Sequence, residues 1–102
     1  MVRVLEENQN TIAELCVRYG VARLDVFGSV LRDDFRPGES DIDLLVEFGP
    51  HEGYALVEAY FGLLDELRAL FDGKVDLVMV DAVKNRYIAR EIARTKQQLY
   101  AA

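Results

Sequence analysis

Two aspartates, Asp41 and Asp43, stand at i and i+2 in the segment Ser40-Asp41-Ile42-Asp43-Leu44-Leu45-Val46, a dozen residues after a Gly28-Ser29 pair. The run from Asp41 to Phe48 reads as a strand, and alternate strand residues share a face. Asp41 and Asp43 therefore project to one side, about 6–7 Å apart at their Cα atoms for a rise of roughly 3.3 Å per residue. Two like charges buried that close repel unless a cation or a proton intervenes. Such a pair suits a divalent metal. Gly28-Ser29 offers the complement: a tight turn with backbone N–H groups and a hydroxyl for phosphate oxygens.

A third carboxylate, Asp76, interrupts the apolar run Val75-Asp76-Leu77-Val78-Met79-Val80. A lone Asp in such a strand is costly to bury unpaired. It marks either a strand end facing water or the third member of one acidic cluster. Three carboxylates can hold two Mg²⁺ ions about 4 Å apart, which clamp the attacking and leaving oxygens of an in-line phosphoryl displacement. Mg²⁺ favours a few carboxylates plus substrate phosphates over an all-protein cage. The pattern thus points to nucleotide plus metal rather than to a structural metal site.

The elements that position these residues follow from periodicity. Leu5, Ile12, Leu15, Cys16 and Tyr19 share a helical face from about Leu5 to Tyr19, stopped by Gly20. Val21 to Phe27 reads as a strand ended by Gly28, Val30 to Arg32 as a short helical turn, and Asp33 to Glu39 as a polar loop around Pro37-Gly38. After the Asp41–Phe48 strand and a Gly/Pro loop holding His51, Tyr54 to Phe71 is strongly helical, with Leu56, Ala59, Tyr60, Leu63, Leu64, Leu67, Leu70 and Phe71 on a broad apolar face. Lys74 to Val80 is a third strand, and Asn85 to about Leu99 a final helix. The order α-β-β-α-β-α implies an α/β (α+β) domain, a small mixed sheet covered by helices, spanning residues 1–102 as one unit.

Composition sets the outer bounds. The 102 residues carry a net charge of −6, with 51% hydrophobic and 29% charged residues, which places the chain among globular proteins. The acidic balance argues against non-specific nucleic-acid binding, which favours Lys/Arg surfaces. It leaves a nucleotide open, because a bound metal reverses the local field. Cys16 is the lone cysteine and reads as a small buried hydrophobe. No apolar run approaches the roughly 20 residues of a membrane span, and the start has no signal-peptide pattern, so a cytoplasmic protein is expected.

Phe27-Gly28-Ser29-Val30-Leu31-Arg32, Ser40-Asp41-Ile42-Asp43-Leu44-Leu45-Val46-Glu47-Phe48 and Lys74-Val75-Asp76-Leu77-Val78 together resemble the minimal nucleotidyltransferases (MNT) of the DNA polymerase beta-like superfamily. The resemblance covers nearly the whole chain. It implies that Gly28 and Ser29 approach the triphosphate of ATP and that Asp41 and Asp43 bind the metals. By the same resemblance, Asp76 completes the second metal site and helps activate the attacking hydroxyl, and Arg32 lies near the phosphates. Ser40 caps or orients the metal strand or joins the nucleotide site. Two departures stand in the intervening loop: Asp33 where the family commonly has Gly, and an Arg36-Pro37-Gly38-Glu39 stretch about one residue longer than usual.

A chain this short leaves little room for an acceptor-binding domain, so the acceptor is expected to come from a partner. Small MNT proteins are typically encoded beside HEPN-domain proteins, many of them ribonuclease toxins. The resemblance therefore implies an antitoxin that transfers AMP from ATP to a tyrosine of its HEPN partner, with two Mg²⁺ ions. Such a group would block RNA entry to the toxin. Neutralisation by binding alone and transfer to a small molecule are the competing readings. Elsewhere the plainer readings are expected: His51 as a solvated loop residue, Tyr54, Tyr60, Phe61 and Phe71 as core, and Arg86, Tyr87 and Arg90 as a solvated or packed face. Lys84, Arg90, Arg94 and Lys96 read as surface charge complementing the last helix's dipole.

Overall fold

The computed structural model describes residues 3–28, 36 and 39–102. Ser29, Arg32 and Asp33, the expected turn at Val30–Arg32 and the Pro37-Gly38 turn lie outside these residues. The elements are α1 (Arg3–Glu7), α2 (Gln9–Arg18), β1 (Val21–Phe27), β2 (Ile42–Phe48), α3 (Tyr54–Leu70), β3 (Val75–Met79), α4 (Arg86–Thr95) and β4 (Gln97–Ala101), with a 3₁₀ turn at Val80–Ala82. The strands form one mixed sheet in the order β3-β2-β1-β4. β1 runs antiparallel to both β2 and β4, and β2 runs parallel to β3. The side chains of β2 alternate between the two faces of the sheet, and Leu45 is buried on the face opposite Ile42, Leu44 and Val46. Ile42, Leu44 and Val46 are buried with Leu24 and Val26 of β1 and Val75 and Leu77 of β3. Helices α1–α3 close this face with Leu5, Ile12, Leu15, Cys16, Leu63, Leu67 and Phe71.

The mixed α/β architecture and its element order match the expectation, with three adjustments. The first helix breaks at Asn8, whose side-chain amide donates to Val4 O at 2.7 Å. The second strand begins at Ile42, so Asp41 stands just ahead of it. The third adjustment is a correction: the last helix does not run to Leu99. It stops at Thr95, Lys96 turns extended (φ −61°, ψ 150°), and Gln97–Ala101 pairs with β1 as an edge strand. Leu99 and Ile92 both fit a helical apolar stripe, and no Gly or Pro marks the break. Burying Leu99 in the main core, at 8% exposure, outweighs local propensity.

The expected aromatic core is also only half right. Phe71 is buried and Tyr60 half-buried, but Tyr54 and Phe61 stand in solvent. Nor is His51 a solvated loop residue. Its Nδ1 lies 2.8 Å from Gly49 O and its Nε2 3.1 Å from Tyr19 O, pinning the β2–α3 loop to the end of α2. Cys16 is fully buried, and desolvation pushes its thiol pKa up to about 12, which fits the packing role.

Candidate active site

Sheet topology brings the acidic residues of two segments, Asp41 and Asp43 at β2 and Asp76 on β3, to the end of β1. β1 ends where β2 begins, because the two are antiparallel, and Phe27 is the register partner of Asp43. β3 begins beside β2, because those two are parallel, and Asp43 is the register partner of Asp76. In-register neighbours on adjacent strands lie about 4.8 Å apart at Cα with side chains on the same face. Asp43 and Asp76 therefore stand side by side on the sheet face opposite the main core. Asp41, two residues before Asp43, belongs to the same corner, and Ile42 N–H donates to Lys74 O at 2.8 Å to open the ladder there.

Gly28 completes the corner. Its φ is +76°, a left-handed conformation that side chains rarely adopt, and a Cβ built on it would overlap Asp43 Oδ2 and lie 3.1 Å from Asp43 Cγ. The backbone of the Gly28 turn thus passes directly against the Asp43 carboxylate. Any side chain at position 28 would occupy the space of that carboxylate. The Gly28 backbone and the Asp43 carboxylate therefore share one small volume.

The corner differs from the expected buried pair. Asp41 and Asp76 are exposed and Asp43 is half-buried. Among the described residues, no three carboxylates converge closely enough to form a finished metal cage. An all-oxygen set of this kind suits Mg²⁺, which keeps waters and takes phosphate oxygens as its remaining ligands. The donor chemistry therefore fits a metal that arrives with a nucleotide. Ser40 closes the loop ahead of the site: its Oγ accepts from Arg36 N–H at 3.2 Å, and its own N–H donates to Arg36 O at 2.8 Å.

One charged residue on this sheet face escaped the sequence reading. Asp25 of β1 is 2% exposed and is held by Arg23 Nε at 2.9 Å and Lys96 Nζ at 3.2 Å. Lys96, expected as surface charge, instead ties the α4–β4 junction to the sheet. The rule applied to Asp76, a lone Asp in an apolar strand, also flags Asp25, but its cation partner 71 positions away has no sequence signal. Beside this anchor, α4 leaves a cavity of about 140 Å³ over Leu45, lined by Val80, Val83, Ala89, Ile92, Ala93 and Lys96. Arg86, Tyr87 and Arg90 face solvent, as expected.

The sequence model of the nucleotidyltransferase domain family matches residues 9–99. The chain belongs to this family. The protein adenylyltransferase MntA of Thermococcus cleftensis is 37% identical over 81 residues, covering 79% of this chain and 77% of the relative. A Methanocaldococcus jannaschii protein that carries the protein adenylyltransferase name provisionally is 37% identical over 89 residues, covering 87% of this chain and 84% of the relative. The solved structure of a protein provisionally named a minimal nucleotidyltransferase superposes with a TM-score of 0.74 at 29% identity, covering 91% of this chain and 90% of that one. An MNT antitoxin of Shewanella oneidensis, solved in complex with its tri-AMPylated HEPN toxin, shares the fold at a TM-score of 0.65 and 22% identity, covering 96% of this chain and 73% of that one. The resemblance read from the Gly-Ser and Asp-x-Asp segments is thus borne out, and the chain is a nucleotidyltransferase. No helix among the described residues is long and apolar enough to cross a membrane.

Proposed function

We propose that this chain is a Mg²⁺-dependent adenylyltransferase that moves AMP from ATP to a tyrosine hydroxyl of a HEPN-domain toxin and so acts as its cytoplasmic antitoxin. The observation that carries the reading is the register of Asp43 with Asp76, placed against the Gly28 turn. The family supports nucleotidyl transfer, the curated relatives support a protein acceptor, and the Shewanella complex supports a HEPN partner. The single domain of residues 1–102 is proposed to suffice for the chemistry, with the partner supplying the acceptor.

In this reading Gly28 N–H, with Ser29 and Arg32, receives the triphosphate oxygens. Asp41, Asp43 and Asp76 would hold two Mg²⁺ ions, which supply charge neutralisation at the phosphates and lower the cost of deprotonating the acceptor. Asp76, on the outer strand, accepts the phenol proton as the tyrosine oxygen bonds to the α-phosphorus. The bond from that phosphorus to the pyrophosphate oxygen breaks, and pyrophosphate leaves. Ser40 keeps the loop ahead of Asp41 closed rather than touching the nucleotide. Intact mass spectrometry of the neighbouring HEPN protein, incubated with this chain, ATP and Mg²⁺, tests the proposal. A gain of AMP units that Asp43→Asn abolishes is the expected result. Stable complex formation with no mass gain would replace catalysis with neutralisation by binding, and labelling that survives Asp41→Ala with Asp43→Ala would remove the acidic corner from the mechanism.

A further inference from the structure

We infer that the outward face of α3 is a docking surface for a helical protein partner that presents apolar residues flanked by Lys or Arg. This rests on the reading that the chain acts on a protein. Tyr54, Val57 and Phe61 of α3 are 84%, 48% and 55% exposed. Tyr54, Glu58, Phe61 and Asp65 follow i, i+4, i+7 and i+11, so apolar and acidic groups interleave along one line, with Val57 on its flank. Glu58 and Asp65 are exposed as well. Two aromatics and a valine on one exposed helical face are more than scattered surface hydrophobics, and their i, i+3, i+7 spacing lets a second helix pack along the stripe.

The stripe is held rigid from behind. Phe61 packs edge-on against Tyr60, with centroids 5.1 Å apart and planes at 84°. The Tyr60 hydroxyl donates to Leu77 O at 2.6 Å, on β3 and directly after Asp76. Further along α3, Glu66 accepts from Arg18 Nη1 at 2.9 Å and from the Tyr19 hydroxyl, whose ring reaches it because Gly62 has no Cβ to obstruct it. A preorganised aromatic anchor loses little freedom on binding. The same ties connect the stripe to the strand that carries Asp76.

Charge decides the occupant. A two-fold contact between copies through this stripe would bring together two chains of net charge −6, with Arg68 as the stripe's single cation against Glu58 and Asp65. A partner with a cationic rim meets the acidic groups favourably and gains steering from the net charge. An apolar-cationic helix is therefore the fitting occupant, and it would dock away from the Gly28 corner, leaving the acidic site free to take an acceptor side chain.

A synthetic helical peptide with leucines at i, i+3, i+4 and i+7 and lysines on the flanks serves as the first probe, read by fluorescence anisotropy at two salt concentrations. Val57→Ser with Phe61→Ser removes the anchors and keeps every charge. It is expected to weaken binding at least tenfold, as loss of aromatic hot spots does, while Asp43→Asn binds like the wild type. Tyr54→Ser, at a helix end and in solvent, is the second variant should the double one lose its circular dichroism signal. Equal binding by the Ser variants, no binding by the wild type, or sedimentation of the wild type as a dimer that the Ser variants dissolve would each overturn the proposal. In the transfer assay, Val57→Ser with Phe61→Ser should raise KM for the protein acceptor and leave kcat and Mg·ATP affinity unchanged. Absence of transfer by the wild type, with peptide discrimination intact, would fail the adenylyltransferase reading and leave the docking face standing.

Discussion

Gly28→Ala is the sharpest test of the acidic corner, because two separable effects act on one atom. The first is conformational. An L-residue forced to φ near +76° costs about 1–2 kcal/mol, which lowers the melting temperature of a domain this size by roughly 5–15 °C. The second is local. The added methyl would occupy the position of Asp43 Oδ2 and press within 3.3 Å of Asp43 Cβ, so the carboxylate must swing away. A shift of about 1 Å at a reacting centre can cost on the order of 100-fold in rate. Gly53→Ala is the matched control. It sits at φ 55° and ψ −128°, a strain at least as large, yet nothing lies within 4 Å of its would-be Cβ. Melts followed by circular dichroism should fall for both variants. Mg·ATP affinity and AMP transfer, measured well below either melt, should collapse for Gly28→Ala and persist for Gly53→Ala. Wild-type Mg·ATP binding and transfer by folded Gly28→Ala would refute the claim that this turn and Asp43 form one site.

Three further outcomes follow from specific contacts. Asp76→Asn should abolish transfer while leaving the melting temperature unchanged or slightly raised, since it removes a like charge beside Asp43; a large loss of stability would make Asp76 structural. Asp25→Asn should cost about 1–3 kcal/mol by weakening a buried charge-assisted pair with Arg23 and Lys96, read as a lower urea midpoint, and neutral behaviour would remove its anchoring role. Glu66 is held below the ordinary carboxylate value of 4.5, first by the Tyr19 hydroxyl and then by Arg18. A lowered carboxyl pKa stabilises above the unfolded value and is lost as the pH falls through the folded one. Stability below about pH 4.5 should therefore decline less steeply in Glu66→Gln than in the wild type; superimposable acid melts would contradict the contact.

Legibility followed the range of the interactions. Strand β2 sets Ile42, Leu44 and Val46 against Asp43, Leu45 and Glu47, and this near-alternation, interrupted by Leu45, can be read from neighbours alone. Helix α3 carries four turns of apolar spacing, so its existence and inner face were plain. Its outer face was misread: Tyr54 and Phe61 have the side chains of core residues, and only the packed helix reveals that they point to water. Strand β4 was hidden for the converse reason. Gln97 to Ala101 has weak strand character, and what makes it a strand is an open edge on β1 and a place for Leu99 in the core.

By itself the sequence determined the chemistry on offer: three carboxylates, one of them beside another at a two-residue spacing, and a Gly-Ser turn upstream. These are covalent facts of residue type and short-range geometry. Tertiary structure alone decided that Asp76, exposed near the start of its strand, stands in register with Asp43, and that the Gly28 backbone lies against the Asp43 carboxylate. It also decided that Asp25, absent from the expected site, is, among the described residues, the charge that is buried, because Lys96 comes to it from the far end of the chain. Register between strands is set by which hydrophobic faces can close one core together, and that sum over distant residues has no local signature.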